Sequence, residues 1–159
     1  MTVRPIGPGD LEVWHRMRCA LWPDAAPGEL LEEAEAYFRG AGPLQAVFLG
    51  VGTAGEPVGM LELSLRSIAE GCRTTPVPYV EGWYVMPEAR RRGIGRELMG
   101  AAESWARERG DVEIASDALI DNLPSERAHR ALGFVEVERA IHFRKDLQAA
   151  TVQPAREES

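Results

Sequence analysis

Apolar residues recur along the chain with two periods, and the switches between them mark the elements. Leu11, Trp14, Met17 and Leu21 fall at helical spacing behind Asp10, a good N-cap residue, so a helix is predicted over residues 10–21. Leu21-Trp22-Pro23-Asp24 breaks it. A second helix, rich in Glu and Ala, runs over 28–39 and stops at Gly40-Ala41-Gly42-Pro43. Strands are predicted at 2–6, 45–51 and 58–65, with the last two separated by the turn Gly52 to Pro57. In the third of these, Leu61, Leu63 and Leu65 alternate with Glu62 and Ser64, so one face is wet or lines a cleft. Residues 66–78 form a long polar loop, a length usually reserved for function or mobility.

Tyr79 to Val85 is rich in aromatic and β-branched residues and reads as a strand, which Pro87 ends. Arg90-Arg91-Arg92-Gly93-Ile94-Gly95 follows, and then an amphipathic helix. Ile94, Leu98, Ala101, Ala102 and Trp105 lie on its apolar side, and Gly110 supplies its stop. A further strand is predicted at 112–117 and a helix at 122–132, closed by Gly133. Two final strands are predicted at 134–139 and 140–145. From Gln148 onward no large apolar residue follows except Val152, and that tail is predicted to be disordered. The order is β-α-α-β-β-β-α-β-α-β-β, one α/β domain over residues 1–147 with a mixed sheet.

Strand, glycine-containing loop and helix form an arrangement suited to a phosphate. The first turn of a helix has unpaired N–H groups and the positive end of the dipole, and glycines let those groups approach an anion. The loop is neither a dinucleotide fingerprint nor a Walker A loop, since no Gly-Lys-Ser/Thr follows. Read alone, it also fits a basic turn before a surface helix.

Composition narrows the partners. The 159 residues carry a formal net charge of −7, which disfavours nucleic acid and suits a cationic small molecule. No apolar run reaches the ~18 residues of a membrane span, and the N-terminus lacks a signal-peptide pattern. Cys19 and Cys72 are isolated, with no metal-ligand spacing around them, so a reduced cytoplasmic protein without a metal is expected.

The pattern Arg90-x-x-Gly93-x-Gly95, with its preceding strand and the later Leu132-Gly133-Phe134, resembles the GNAT N-acetyltransferase family over residues 2–147. The resemblance implies a mixed, splayed central sheet flanked by helices, with acetyl-CoA as co-substrate. It places the thioester carbonyl at the backbone of Trp83, Tyr84 and Val85. The pyrophosphate falls on the N–H groups of Arg91, Arg92, Gly93, Ile94, Gly95 and Arg96. Asn122 would touch the pantetheine arm, although it is equally suited to cap the helix, and both roles can hold together. Ser125 and His129 share one face of that helix. The family commonly has a Tyr proton donor where His129 stands. An imidazolium is acidic enough to protonate a thiolate, but a residue here can also simply pack beside the cofactor.

Leu21 to Asp24, Tyr79 to Val85, Ala115-Ser116-Asp117, Ile120-Asp121-Asn122 and Ala128 to Phe134 are similar to the aminoglycoside 6′-N-acetyltransferase group within that family. This likeness implies that Trp22, Glu81, Asp117 and Glu138 line an aminoglycoside site. Glu81 or Asp117 would take the ammonium's proton, and a homodimer would form through the C-terminal strands. Period-2 alternation puts Glu81 on the same face as Trp83. Glu138 also reads as a solvated surface acid. The group can place a Tyr from the loop after the third strand against the sugar; here that loop is Arg66-Ser67-Ile68-Ala69-Glu70-Gly71, with no aromatic. Two rivals stand beside this expectation: the same chemistry on a polyamine, peptide or small metabolite, and an acyl-CoA-binding regulatory module without turnover.

Overall fold

Alternating segments in the first half of the chain build a sheet whose strands follow one another in space as they do in sequence. In the computed structural model, which describes residues 1–147, β1 (Thr2–Pro5), β2 (Leu44–Val51), β3 (Pro57–Arg66) and β4 (Val77–Val85) pair antiparallel in turn. A short β5 (Ala115–Ser116) joins β4 in parallel. The helices are α1 (Leu11–Leu21), α2 (Pro27–Phe38), α3 (Ile94–Glu108) and α4 (Leu123–Ala131). Asp10 does occupy the N-cap position of α1, but its carboxylate does not cap. It accepts instead from the Gly7 N–H at 2.8 Å and from Arg4 at 2.7 and 2.9 Å.

Each face of the sheet carries its own core. Trp14 and Met17 of α1 and Ala34 of α2 pack on Val47, Leu49 and Met60. On the other face, Ile94, Leu98, Met99 and Ala102 of α3 pack on Ala46, Leu61, Leu63 and Val80. The close approach of α3 depends on missing side chains in the strands. A Cβ on Gly50 would stand 2.8 Å from Ile94, and one on Gly59 would stand 2.9 Å from the Tyr84 carbonyl.

A bulge corrects the expected facing of β4. Glu62 pairs with Gly82 while Leu63 pairs with Val80, so Glu81 is an extra residue in β4. A bulge shifts the side-chain alternation by one and bends the strand. Glu81 and Gly82 therefore both face the α1–α2 side: Glu81 meets Ser64 and Arg66, and Gly82 lies under Trp22. Trp83 faces the α3–α4 side, against Gly95 and His129. Glu81 and Trp83 do not share a face.

The predicted strand at 112–117 shrinks to Ala115 and Ser116, which pair with Tyr79 and Val80 just before the bulge. Beyond that point β4 has no strand neighbour on its β5 side among the described residues, and the sheet opens there. The two strands expected at 134–139 and 140–145 are not formed. With β5 only two residues long there is no ladder to extend, and an isolated hairpin is marginal in water. Val135, Ile141 and Phe143 are left 80%, 80% and 92% exposed. The expected disordered tail lies outside the described residues.

Candidate active site

The phosphate end is built where β4 gives way to α3. Val85 leads through a single 3₁₀ turn (Pro87–Ala89) into a loop in which Arg91 and Gly93 both take positive φ, 61° and 87°. Gly93 is the left-handed N-cap of α3. The first donation from the helix start back into the loop is Glu97 N–H to Gly93 O at 3.0 Å, which leaves the first-turn N–H groups before it without a helical acceptor. Arg90 braces the loop through Nε to Val85 O at 2.9 Å. Arg91, Arg92 and Arg96 are exposed around the helix start, where the dipole already favours an anion. Gly95 sits against the Trp83 indole, 3.2 Å from Cζ2 to the position its Cβ would take. The residues expected to hold a pyrophosphate are thus gathered in one turn, and their backbone geometry fits an anion.

The acidic end lies on the α1–α2 face of β4. A cleft of about 340 Å³ is lined by Arg18, Trp22, Glu33, Glu62 and Glu81, among others. Both oxygens of Glu81 are engaged. Arg66 donates from Nε at 2.8 Å and from Nη2 at 2.7 Å, and Ser64 Oγ donates at 2.5 Å. Burial pushes the Glu81 carboxyl up, but the Arg66 and Ser64 bonds outweigh it and hold it below the usual carboxylate range. Such a carboxylate binds cations well and takes up protons poorly. Arg66 lies flat on Tyr79, 3.5 Å from the ring centroid. Burial first, and then the charge of Asp117, push the Tyr79 phenol up to about 12. Asp117 itself is exposed just past β5, so it stands beside Tyr79 and Arg66 at the opening of the sheet.

Under the cleft runs a buried network. Glu62, fully buried, accepts at Oε1 from Trp14 Nε1 at 2.7 Å and Arg18 Nε at 2.9 Å, and its Oε2 has no partner. Burial, opposed by Arg18 and Trp14, leaves the Glu62 carboxyl raised. Arg18 also bonds Leu30 O and Glu33, and its guanidinium stacks 5.2 Å from the Trp22 ring.

Between the two ends stands His129. Its Nε2 lies 2.8 Å from Ser116 Oγ and its Nδ1 2.8 Å from Ser125 O. The carbonyl fixes the Nδ1 proton, so Nε2 accepts from Ser116 when the ring is neutral. In the charged ring Nε2 can instead donate to the Ser116 hydroxyl. The ring also meets Trp83 and Phe134 edge-on, each with centroids 5.2 Å away. Asn122 caps α4, with Oδ1 accepting from Ser125 N–H at 3.2 Å.

Of the residues expected at the site, Trp22 and Glu81 line one cleft, with Asp117 beside Arg66 at its rim. Trp83, Gly95, Ser125 and His129 meet on the opposite side of β4. Tyr84 and Val85 lie on the stretch of β4 without a β5 partner. Glu138 lies on the exposed segment after α4, and it is not among the residues that line the cleft. Arg18, Glu62, Ser64, Arg66 and Tyr79 were not singled out as site residues. The signal for three of them was visible: Glu62, Ser64 and Arg66 occupy alternate positions on the polar face of the third strand. Among the described residues no cluster of His, Cys, Asp or Glu could hold a metal ion, and no helix is long and apolar enough to cross a membrane.

The model of the acetyltransferase (GNAT) family matches residues 11–134. An aminoglycoside N(6′)-acetyltransferase type 1 from Klebsiella aerogenes is 46% identical over 147 residues, covering 91% of this chain and 96% of that protein. One from Stenotrophomonas maltophilia is 40% identical over 92% of this chain and 94% of its own length. Among solved structures, AAC(6′)-Iy in complex with the bisubstrate analogue CoA-S-monomethyl-acetylneamine superposes with a TM-score of 0.82 at 34% identity. It covers 91% of this chain and 97% of that one.

Proposed function

The chain belongs to the acetyltransferase (GNAT) family, and from that membership we propose that it transfers the acetyl group of acetyl-CoA to the 6′-amine of aminoglycosides. One observation carries the reading. A phosphate-ready helix start and an acidic, aromatic-walled cleft flank the same open stretch of β4 from opposite faces. The relatives named above act on or bind that acceptor class and CoA, and the charge of the cleft suits a polycationic amino sugar.

In this reading the N–H groups of Arg91 to Arg96 take the pyrophosphate, with Arg91, Arg92 and Arg96 adding charge. Asn122 offers its amide NH₂, left over from capping, to the pantetheine arm. When bound, acetyl-CoA supplies the acetyl group as a thioester, and the free backbone edge of Trp83, Tyr84 and Val85 steadies the negative charge that develops on its carbonyl. Trp22 walls the sugar. Asp117 receives the reacting ammonium and passes its proton to solvent. Glu81, held in its ionised form, acts as countercharge rather than base. His129, as an imidazolium, passes a proton through the Ser116 hydroxyl to the departing thiolate, so that CoA leaves as the thiol. Glu138 reaches an acceptor only if the segment after α4 folds over the cleft.

The protein acts as a cytoplasmic homodimer in this proposal. Val135, Val137, Ile141 and Phe143 alternate with Glu136, Glu138, His142 and Arg144, a pattern that seeks a strand partner, and a second copy supplies one. A thiol-release screen with acetyl-CoA against aminoglycosides, polyamines and short peptides tests the acceptor. Turnover is expected with acceptors bearing a 6′-amine and not with their 6′-hydroxyl analogues. Equal turnover of both analogues, or turnover of peptides alone, sinks the assignment.

A further inference from the structure

The carboxylate that would receive a substrate cation already holds one from its own chain. Arg66 closes β3, and β3–β4 pairing sets its side chain beside Tyr79 and the bulged Glu81. The guanidinium spans both Glu81 oxygens, at 2.8 and 2.7 Å, and rests on the Tyr79 ring at 3.5 Å. Asp117 lies close enough to act on the same charge. The guanidinium is therefore held on one of the two carboxylates assigned to the acceptor and feels the other. This is not a buried structural pair: the side chains of Arg66 and Glu81 are 40% and 28% exposed. A pair so open to solvent is weak enough for a ligand to break.

We propose that Arg66 is a resident competitor in the acceptor cleft: its guanidinium occupies the ammonium seat on Glu81, and an incoming polycation must displace it. This rests on the acceptor assignment above and adds a specificity consequence. Exchange replaces one guanidinium by one ammonium on Glu81, which is no gain for a monoamine. A ligand with several ammonium groups recovers the loss, because its other charges meet Asp117 and the exposed Glu33. Arg66 thus sets a threshold that a polyamino acceptor clears and a monoamine does not.

Two variants keep the test independent of folding accidents. Arg66→Met keeps a long unbranched side chain and removes the charge, while Arg66→Lys keeps a charge but loses the bidentate fork. Kanamycin and a monoamine such as glucosamine are titrated calorimetrically into each protein, and steady-state acetylation is followed in parallel. Relative to wild type, Arg66→Met should bind kanamycin and glucosamine each about three- to ten-fold more tightly, because the same displacement is removed for both. Arg66→Lys should fall between. The acetyl-CoA KM should stay put. Equal or weaker kanamycin binding by a folded Arg66→Met overturns the proposal, as does a gain confined to kanamycin or no binding by any of the proteins. If wild type binds kanamycin but does not acetylate it, the assigned reaction fails while the binding comparison still judges Arg66.

Discussion

Two carboxylates of this cleft face the same chemistry in opposite conditions. Glu81 is locked by Arg66 and Ser64 and held below its ordinary range, so its contribution to stability is present above the ordinary carboxylate pKa. That contribution is lost only as pH falls through the depressed value. Asp117 is exposed just past β5 and is the carboxylate proposed to receive the reacting ammonium. Asp117→Ala should therefore lower kcat/KM for 6′-amine acceptors by about ten- to hundred-fold, the scale of a charged hydrogen bond, and leave acetyl-CoA affinity intact. Initial rates with a kanamycin-type acceptor check this, and full efficiency in the variant would displace the acceptor site. Tyr79 offers a second measurement free of turnover. Its phenol is raised to about 12, so the stability it lends is complete below pH ~10 and is lost as pH rises from there toward the raised value. In a 295 nm titration corrected with Tyr79→Phe, this phenol should remain protonated at pH ~11, and Asp117→Asn should bring it down. Ionisation of Tyr79 in step with a free tyrosine contradicts the burial and the Asp117 contact alike.

At the scale of elements, the loop before α3 shows why two glycines two residues apart are not equivalent. Gly93 has a left-handed φ of 87° and open space where a Cβ would go, so replacing it strains the backbone without obstructing anything. Gly95 carries no such constraint but lies against Trp83. Gly95→Val should raise the acetyl-CoA KM at least about ten-fold, by blocking the helix start and pushing Trp83 toward His129. Gly93→Ala should chiefly lower Tm, by the roughly 1–2 kcal/mol of a left-handed non-glycine residue. CoA binding by calorimetry and thermal melts separate the two, and interchanged effects would refute the division of labour. This loop was legible in the sequence because local glycine spacing and helical periodicity encode it. The facing of Glu81 was not, because it depends on where β3 slips by one residue against β4, a non-local choice that leaves no mark on the alternation of Tyr79 to Val85. The segment after α4 was misread for a related reason. Its alternation is strand-like, but alternation names a face without supplying the neighbour that would pair with it.

On the scale of the whole molecule, the cleft proposed for the acceptor lies where the α1–α2 layer is fastened to the sheet beneath it. The fastening is polar. Glu62 of β3 bonds Trp14 and Arg18 of α1, and Arg18 continues to Leu30 O and Glu33 of α2, while its face supports Trp22. Gly82 completes the contact, since a Cβ there would stand 2.8 Å from the Trp22 ring. Removing the carboxylate leaves a nearly buried guanidinium with only the more exposed Glu33 as a charged partner, and breaking one side of such a pair costs about 3–5 kcal/mol. Glu62→Ala should accordingly lower Tm by roughly 10 °C and raise the KM for aminoglycosides, since Trp22 loses its support. The α3 face keeps its own core of Ile94, Leu98 and Met99, so acetyl-CoA binding in the surviving folded protein should change little. A double replacement, Glu62→Met with Arg18→Met, discriminates between stability and positioning. Apolar residues of similar length commonly restore the stability of a buried ion pair, but they offer Trp22 no guanidinium to stack on. The double variant should therefore recover most of the lost Tm while the acceptor KM stays high. Recovery of both together would mean that the network only holds the layer in place and that Trp22 needs nothing further from it.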